Sequence, residues 1–415
     1  MPRPAYRERT LSGTLRRAAR SFPALIVTGP RQSGKTTLVC RLFGPTHRYC
    51  SLDDPTVHAQ ALADPRMLLA RFPPPVILDE IQYAPDLLAY VKTDIDEHRG
   101  QAGRYVITGS QAFALMQGVT ESLAGRAAVL SLQSLSLREA AGMPDADRPW
   151  RGLLLPPGRR GRPALAATEP SGRLLERVLR GGYPEPALEP GLDAALWHAS
   201  YVQTYLERDV RTLRAVGDLV DFQRFLVALA ARAGQLVNFE ELGRDLGVTG
   251  KTIKAWLSVL EAGGQVARVL PYFANVGKRL VKRPKIYLLD TGTLCHLLQL
   301  RETDQLRQGI AAGPVFETAV FGQLHRLLAH RGEPPRIHFW RTAAGHEVDF
   351  VIEDGQRLMP VEAKLTSTPL PRDAWMIEAF QRLFGDRAGP GLLVCLCRER
   401  FRLTSTVEAV PLGSF

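Results

Sequence analysis

Two groups of residues in this chain have the types and spacing to do chemistry. The first is GPRQSGKT, Gly29 to Thr36, which follows the apolar run ALIVTG and opens a helical pattern. It fits G-x-x-x-x-G-K-[ST] in the strand-loop-helix setting that pattern requires. Glycines let backbone N–H groups curl around a phosphate, and the helix N-terminus adds a favourable field. Gly29, Pro30, Arg31, Gln32, Ser33, Gly34, Lys35, Thr36 and Thr37 are therefore expected to cradle ATP. Lys35 would neutralise β/γ charge and the Thr36 hydroxyl would ligate Mg²⁺. VILDEIQ places Asp79 and Glu80 at the end of another apolar run. Asp79 suits holding Mg²⁺ through water, and Glu80 suits polarising an attacking water. Ser110, ending RYVITGS, could sense the γ-phosphate or serve only as a cap. Arg126, in ESLAGR, stands where an arginine finger would reach a neighbour's γ-phosphate in a homo-oligomer, although a lone arginine is commonly just ion-paired at the surface. Arg208 and Arg211 are weaker candidates for that task. Asp53 and Asp54 either line the same crevice or simply make a turn before Pro55.

The second group lies in GHEVDFVIEDGQRLMPVEAKL, residues 345 to 365. Read as a hairpin turning at Asp354-Gly355, it sets Glu347 opposite Glu362 with Asp349 diagonal to it. Alternation sends His346, Val348, Phe350 and Ile352 to one side and leaves Glu347, Asp349, Glu362 and Lys364 sharing the other. Carboxylates this close repel unless a cation lies between them. Asp349 and the triplet Glu362-Ala363-Lys364 resemble the PD-(D/E)xK nuclease core. That resemblance implies Mg²⁺ held by the Asp and Glu, with the Lys assisting the attack on phosphate. Glu317 matches the acidic residue that such folds place on a first helix. The Pro-Asp dipeptide is absent, and the bland reading is a half-buried hairpin with a wet face.

These groups need elements to hold them. Residues 1–142 alternate short β-rich runs (ALIVTG, HRYCSL, PPVILDE, RYVITGS, AAVLSLQSLS) with helical stretches, which implies a parallel sheet built from βαβ units. Residues 143–172 are dense in Pro, Gly and Arg and read as a linker or insert. Residues 173–235 look helical, 236–295 form a compact unit, and 296–415 are mixed α/β. Within the compact unit, Leu242 and Leu246 share a face of one helix; Ile253, Trp256, Leu257 and Leu260 share a face of the next, with Thr249 as its N-cap. Lys251, Thr252 and Lys254 are left outward, as on a recognition helix. QVARVLPY and KIYLLD read as strands whose connection carries Lys278, Arg279, Lys282 and Arg283, placed for phosphate contact if it is a wing. The same winged helix would also serve as an ATPase lid or a protein spacer.

At 415 residues with a net charge of +11, the chain has room for about two or three domains and leans towards a polyanionic partner. Five cysteines without CxxC spacing point away from a zinc site, and Cys395 and Cys397 read as core residues of one strand face. No apolar run is long enough for a membrane span, and the N-terminus lacks a secretory h-region, so a cytoplasmic protein is expected.

GPRQSGKTTL, SLDDP, VILDEIQYAPDLL, ITGSQ, ESLAGR, LSLQSLSLRE, GGYPEP and YLERDVR, in that order, resemble a prokaryotic AAA-type ATPase family whose C-terminal half is a domain of unknown function. The resemblance implies an AAA+-like nucleotide domain using Gly29 to Thr37, Asp79, Glu80 and Ser110; the Arg-rich insert near 150–165 departs from the pattern. The fold expected is α/β: a P-loop parallel sheet with helices, then a helical and winged-helix segment, then a restriction-endonuclease-like α/β domain. The function expected is Mg²⁺-dependent ATP binding and hydrolysis, associated with DNA, with ATP state gating the downstream modules. Two alternatives stay open: a nucleotide-switched DNA-binding regulator that does not cut, and an ATPase docking a protein partner through its C-terminal half.

Overall fold

The computed structural model describes residues 6–110, 123–144, 170–205, 219–273, 283–342 and 344–414. Five parallel strands form the first sheet: β1 (Ala24–Thr28), β2 (Arg48–Ser51), β3 (Val76–Asp79), β4 (Tyr105–Thr108) and β5 (Ala127–Ser131), in the order β2-β3-β4-β1-β5. β1, β3 and β4 are buried along their whole length, as apolar runs covered by helices on both faces must be. Alternation along β1 divides the core. Leu25 and Val27 meet Leu11, Leu15, Leu38 and Val39 on one face. Ala24 and Ile26 meet Leu88, Val91 and Ile95 on the other. Because β4 stands between β1 and β3, the carboxyl ends of three neighbouring strands converge on one edge of the sheet.

Helices Ser171–Arg180, Pro184–Leu188 and Ala194–Tyr205 lead into a second unit. There, helices Leu219–Ala230, Phe239–Leu246 and Gly250–Ala262 precede an antiparallel ribbon of β6 (Val266–Val269) and β7 (Lys285–Leu288). Thr249 caps the third helix, its hydroxyl accepting from the Thr252 N–H at 3.1 Å. Ile253, Trp256, Leu257 and Leu260 are buried, and the Trp256 ring lies against Phe222 and Phe225. The insert residues 145–169, Arg208, Arg211, and Lys278, Arg279 and Lys282 of the ribbon's connection fall outside the described residues.

The C-terminal unit packs the long helix Ala312–Ala329 on a six-stranded sheet, ordered β12-β13-β11-β10-β9-β8. Its strands are β8 (Ile337–Arg341), β9 (Glu347–Asp354), β10 (Arg357–Ala363), β11 (Gly391–Cys395), β12 (Phe401–Arg402) and β13 (Val407–Pro411). One apolar cluster runs from Phe225 and Trp256 through Tyr287 and Phe321 to Phe350 and Leu392, so the second and third units share a core. Cys395 and Cys397 lie together in a smaller cluster on the other side of the sheet, and all five cysteines are free. Among the described residues, no helix is long and apolar enough to cross a membrane.

The hairpin exists, but its turn and register differ from the sequence expectation. Arg357 pairs with Asp354, so Gly355-Gln356 makes the two-residue turn rather than Asp354-Gly355. Gly355, at φ +60°, supplies the left-handed first position that a II′-type turn demands. The same register carried forward sets Asp349, not Glu347, opposite Glu362. Simple alternation also fails. The pairing of β8 with β9 shifts between His338 and Trp340, a bulge that re-aims neighbouring side chains. Phe350 and Ile352 consequently join the core under the long helix, whereas Val348 packs with Val351 on the opposite face.

Candidate functional site

The loop after β1 is shaped by a close approach that only glycine permits. A Cβ on Gly29, whose φ is +138°, would lie 2.1 Å from the Leu132 carbonyl oxygen. Lys35 opens the following helix and donates to the carbonyls of Gly29 at 3.1 Å and Pro30 at 2.9 Å. At the next residue, the Thr36 hydroxyl donates to both Asp79 oxygens at 3.0 Å. Tyr49 reaches the same carboxylate at 2.7 Å, and Thr108 also donates to it. Burial, followed by the Asp79 contact, pushes the Tyr49 phenol up, so it remains a donor. Glu80 takes a left-handed φ of +58°, and its backbone N–H is held by the Thr108 hydroxyl at 3.1 Å. Ser110 donates to Glu80 at 3.2 Å, while the Gln82 amide bonds both Glu80 and Ser110. A cleft of about 530 Å³ opens over this constellation. Its wall includes Gln32, Lys35, Thr36, Thr37 and Glu80, together with Arg9 and Glu185.

Other expected residues lie elsewhere. Arg126 makes a two-pronged ion pair with Asp96 of helix Leu87–Glu97, at 2.8 and 3.0 Å. Asp54 caps helix Pro55–Ala63, accepting from the N–H groups of Thr56 and Val57, so at that position the turn reading prevails over the crevice reading. Lys251 and Arg283 are exposed, and Lys254 lies 3.9 Å from Glu240.

A buried polar network ties the phosphate loop to the C-terminal unit. Arg9 donates to the carbonyls of Ser33 at 2.8 Å and Gln133 at 2.6 Å, and pairs with Glu139 at 3.3 Å. Glu139 also accepts from the Thr10 N–H at 2.7 Å and lies 3.2 Å from His330 Nδ1, at the end of the long helix. The Gln133 N–H donates to His330 Nε2, so the imidazole is neutral with its proton on Nδ1, facing Glu139. Burial pushes the Glu139 carboxyl up, but Arg9 and then His330 overturn that and hold it below the usual range. Nearby, Arg326 donates to Ser134 and to the Leu289 carbonyl, and Ser134 donates to Asp290 at 3.2 Å. The turn at Gly264, before β6, closes on Pro30 of the loop, where an added Cβ would lie 3.1 Å from the proline ring.

The hairpin's acids form a second constellation. Glu317, Glu347, Asp349 and Glu362 face one another, with Lys285 of β7 inserted among them. Its ammonium lies 3.0 Å from Glu317 and 2.6 Å from Glu347. Tyr287 donates to Glu317 at 2.5 Å, and the Ala363 N–H to Asp349 at 2.9 Å. Burial lowers the affinity of Lys285 for its proton, yet Glu317, Asp349 and Glu347 more than restore it. Burial and then Glu317 push Asp349 up to about 7; burial and then Asp349 push Glu362 well above the usual range. Lys364, expected to join this group, instead lies 4.0 Å from Asp373 with its side chain 53% exposed. Among the described residues, no three His, Cys, Asp or Glu side chains are disposed to hold a metal ion.

Tyr49, Thr108, Gln82, Arg9 and Lys285 were not singled out from the sequence. Gln82 alone had a local signal, two residues beyond Glu80; the others act across 24 or more positions of chain.

Three family models match the chain: an AAA domain over residues 21–141, a domain of unknown function (DUF8612) over 171–304, and another (DUF4143) over 312–415. The uncharacterized protein Rv2008c of Mycobacterium tuberculosis is 34% identical over 409 residues, spanning 97% of this chain and 83% of that protein. The uncharacterized protein Mb2031c of Mycobacterium bovis matches to the same extent. Among solved structures, the Walker-type ATPase paby2304 of Pyrococcus abyssi aligns with a TM-score of 0.45 at 13% identity, over 72% of this chain and 99% of that one. With its Gly29–Thr36 loop, its parallel sheet and a match over 97% of its residues, this chain joins an AAA-type P-loop ATPase domain to two domains of unknown function and belongs to the family of these mycobacterial proteins.

Proposed function

We propose that the chain is a Mg²⁺-dependent ATP-binding and ATP-hydrolysing protein that associates with DNA and passes its nucleotide state to its C-terminal half. The observation that carries the ATPase reading is the contact of Thr36 with both Asp79 oxygens beneath the cleft that holds Lys35 and Glu80. A hydroxyl beside a buried carboxylate is a hard-oxygen donor set, which suits Mg²⁺. When bound, Mg²⁺ supplies positive charge against the phosphate oxygens. The chain's own groups do the rest. Lys35 offers its ammonium to the β/γ-phosphates, and the loop N–H groups fix the chain of phosphates. Glu80, oriented by Gln82 and Ser110, accepts a proton from an attacking water. Tyr49 and Thr108 hold Asp79 in place. Arg126 serves a neighbouring subunit only by leaving Asp96. Turnover of ATP that is equal in Mg²⁺ and in EDTA would refute the metal dependence.

The helix Gly250–Ala262 and its ribbon act, in this reading, as a winged helix offering Lys251, Thr252, Lys254 and Arg283 to phosphates. DNA affinity that falls steeply with salt is the expected result, and salt-insensitive binding favours a protein partner instead. Between a cutting enzyme and a nucleotide-switched regulator, Lys285 inside the acidic cluster favours the regulator. Its ammonium already pairs with Glu317 and Glu347.

A further inference from the structure

The nuclease-like pattern implies a divalent metal between Asp349 and Glu362, with Lys364 beside it. The side chains present do not fit that arrangement. The ammonium among the acids comes instead from Lys285, on a ribbon strand that belongs to a different sheet. It is 4% exposed, and it lies 5.6 Å from the centre of the Phe339 ring, so its charge is shielded from solvent. We infer that Lys285 is the resident cation of this cluster, a tethered ammonium that excludes a divalent metal from a nuclease-like core. The inference rests on the nuclease-like reading of the hairpin.

Three features support it. First, the nitrogen pairs with Glu347 at 2.6 Å and Glu317 at 3.0 Å, and its charge also acts on Asp349 and Glu362, the pair between which a metal would lie. Mg²⁺ requires oxygens at about 2.0–2.1 Å in a near-octahedral shell, which cannot form around an interposed ammonium. Second, one buried ammonium under-compensates four acids even with Arg341 3.1 Å from Glu347 at the rim. Glu362 Oε2 is buried and has no hydrogen-bond partner among the described residues, so the cluster retains unused ligand capacity. Third, the lysine of the E-x-K triplet is turned out to Asp373, away from the acids it would serve. The cluster is thus organised around a lysine 32 positions before Glu317 in the chain, not around its own triplet lysine.

The test is Mn²⁺ binding to the full-length chain, followed by water-proton relaxation, with Asp79→Asn in every protein so that the P-loop carboxylate adds no site. The expected result is no Asp349-dependent site when Lys285 is present. Lys285→Met should gain one site, bound at least about tenfold more tightly than any in the parent, and adding Asp349→Ala should remove it. Should Lys285→Met fail to fold, Lys285→Gln carries the same comparison. An Asp349-dependent Mn²⁺ site in the parent overturns the exclusion while leaving the nuclease-like reading intact. A folded Lys285 variant that gains no site overturns both, because the acids are then no latent metal site at all.

Discussion

The carboxylates at the phosphate loop and those in the C-terminal sheet are held in opposite ways. At the phosphate loop, Asp79 is surrounded by hydroxyls from Thr36, Tyr49 and Thr108, neutral donors that leave its charge uncompensated. A cleft lined by its partner Thr36 and by the adjacent Glu80 opens beside it. In the C-terminal sheet, Glu317 and Glu347 hold a buried ammonium at 3.0 and 2.6 Å, and Asp349 and Glu362 are pushed towards their protonated forms. Neutral donors orient a carboxylate and leave its charge in place, which suits the cation site proposed there. An ion pair satisfies the charge in place and makes the cluster a structural joint between ribbon and sheet. The type of residue is the same in both places; its partner decides what it can do.

The comparison can be broken most decisively at the open site. Lys35→Ala should lower ATP turnover by about 10³-fold or more, since charge complementarity to the phosphates supplies most of the catalysis in this reaction class. Near-normal turnover in that variant removes the ATPase reading. Glu80→Gln should retain nucleotide binding but slow hydrolysis by about 10²–10⁴-fold; a parallel loss of affinity would assign Glu80 to binding instead.

The joint between the two regions comes next. Glu139→Gln leaves Arg9 buried beside an uncharged amide and should cost about 3–5 kcal/mol in denaturant unfolding. A cost below about 1 kcal/mol, the value typical of an exposed ion pair, would mean that the network does not bind the P-loop domain to the long helix.

Smaller effects come from pH and from the helix face. His325 is pulled down to about 3 by burial and then by Arg326, and burial also lowers His330. Both bind fewer protons folded than unfolded, so their contribution to stability is complete above about pH 6.5, the ordinary histidine value, and is lost as pH falls below it, for His325 down to about 3. Glu139, with its folded pKa depressed, adds to this loss only below the usual glutamate range. His325→Leu should flatten the melting temperature against pH between 6.5 and 3, and an unchanged slope would move the acid sensitivity elsewhere. Finally, replacing Lys251 and Lys254 by Ala should reduce the salt dependence of DNA binding by about one counterion per lost phosphate contact.

Much of the open site could be read from sequence because its determinants are local. A glycine-rich loop between an apolar strand and a helix specifies its own geometry within about ten residues, and strand ends announce Asp79, Glu80 and Ser110. The five apolar runs of the first 142 residues correspond to the five strands of the parallel sheet. The hairpin shows where such reading stops. Asp-Gly is a strong turn signal, yet the pairing of Arg357 with Asp354 moves the turn one residue on and the facing acids with it. A bulge then reverses Val348 relative to Phe350, which strict alternation cannot express. Arg126 kept a plausible spacing, but Asp96, on a neighbouring helix, occupies its guanidinium.

By itself, the sequence determined the P-loop, the order of the parallel strands' runs, the amphipathic helix pair with its Thr249 cap, and the presence of a hairpin rich in acids. Those features depend on neighbours within a turn or a strand, where backbone geometry is set by residue type. Only the tertiary structure decided that Tyr49 and Thr108 hold Asp79, that Arg9 and His330 meet on Glu139, and that Lys285 lies among the hairpin's acids. Each of these joins segments far apart in the chain, and the low dielectric of the interior makes the charge of the distant partner as decisive as that of the acid itself.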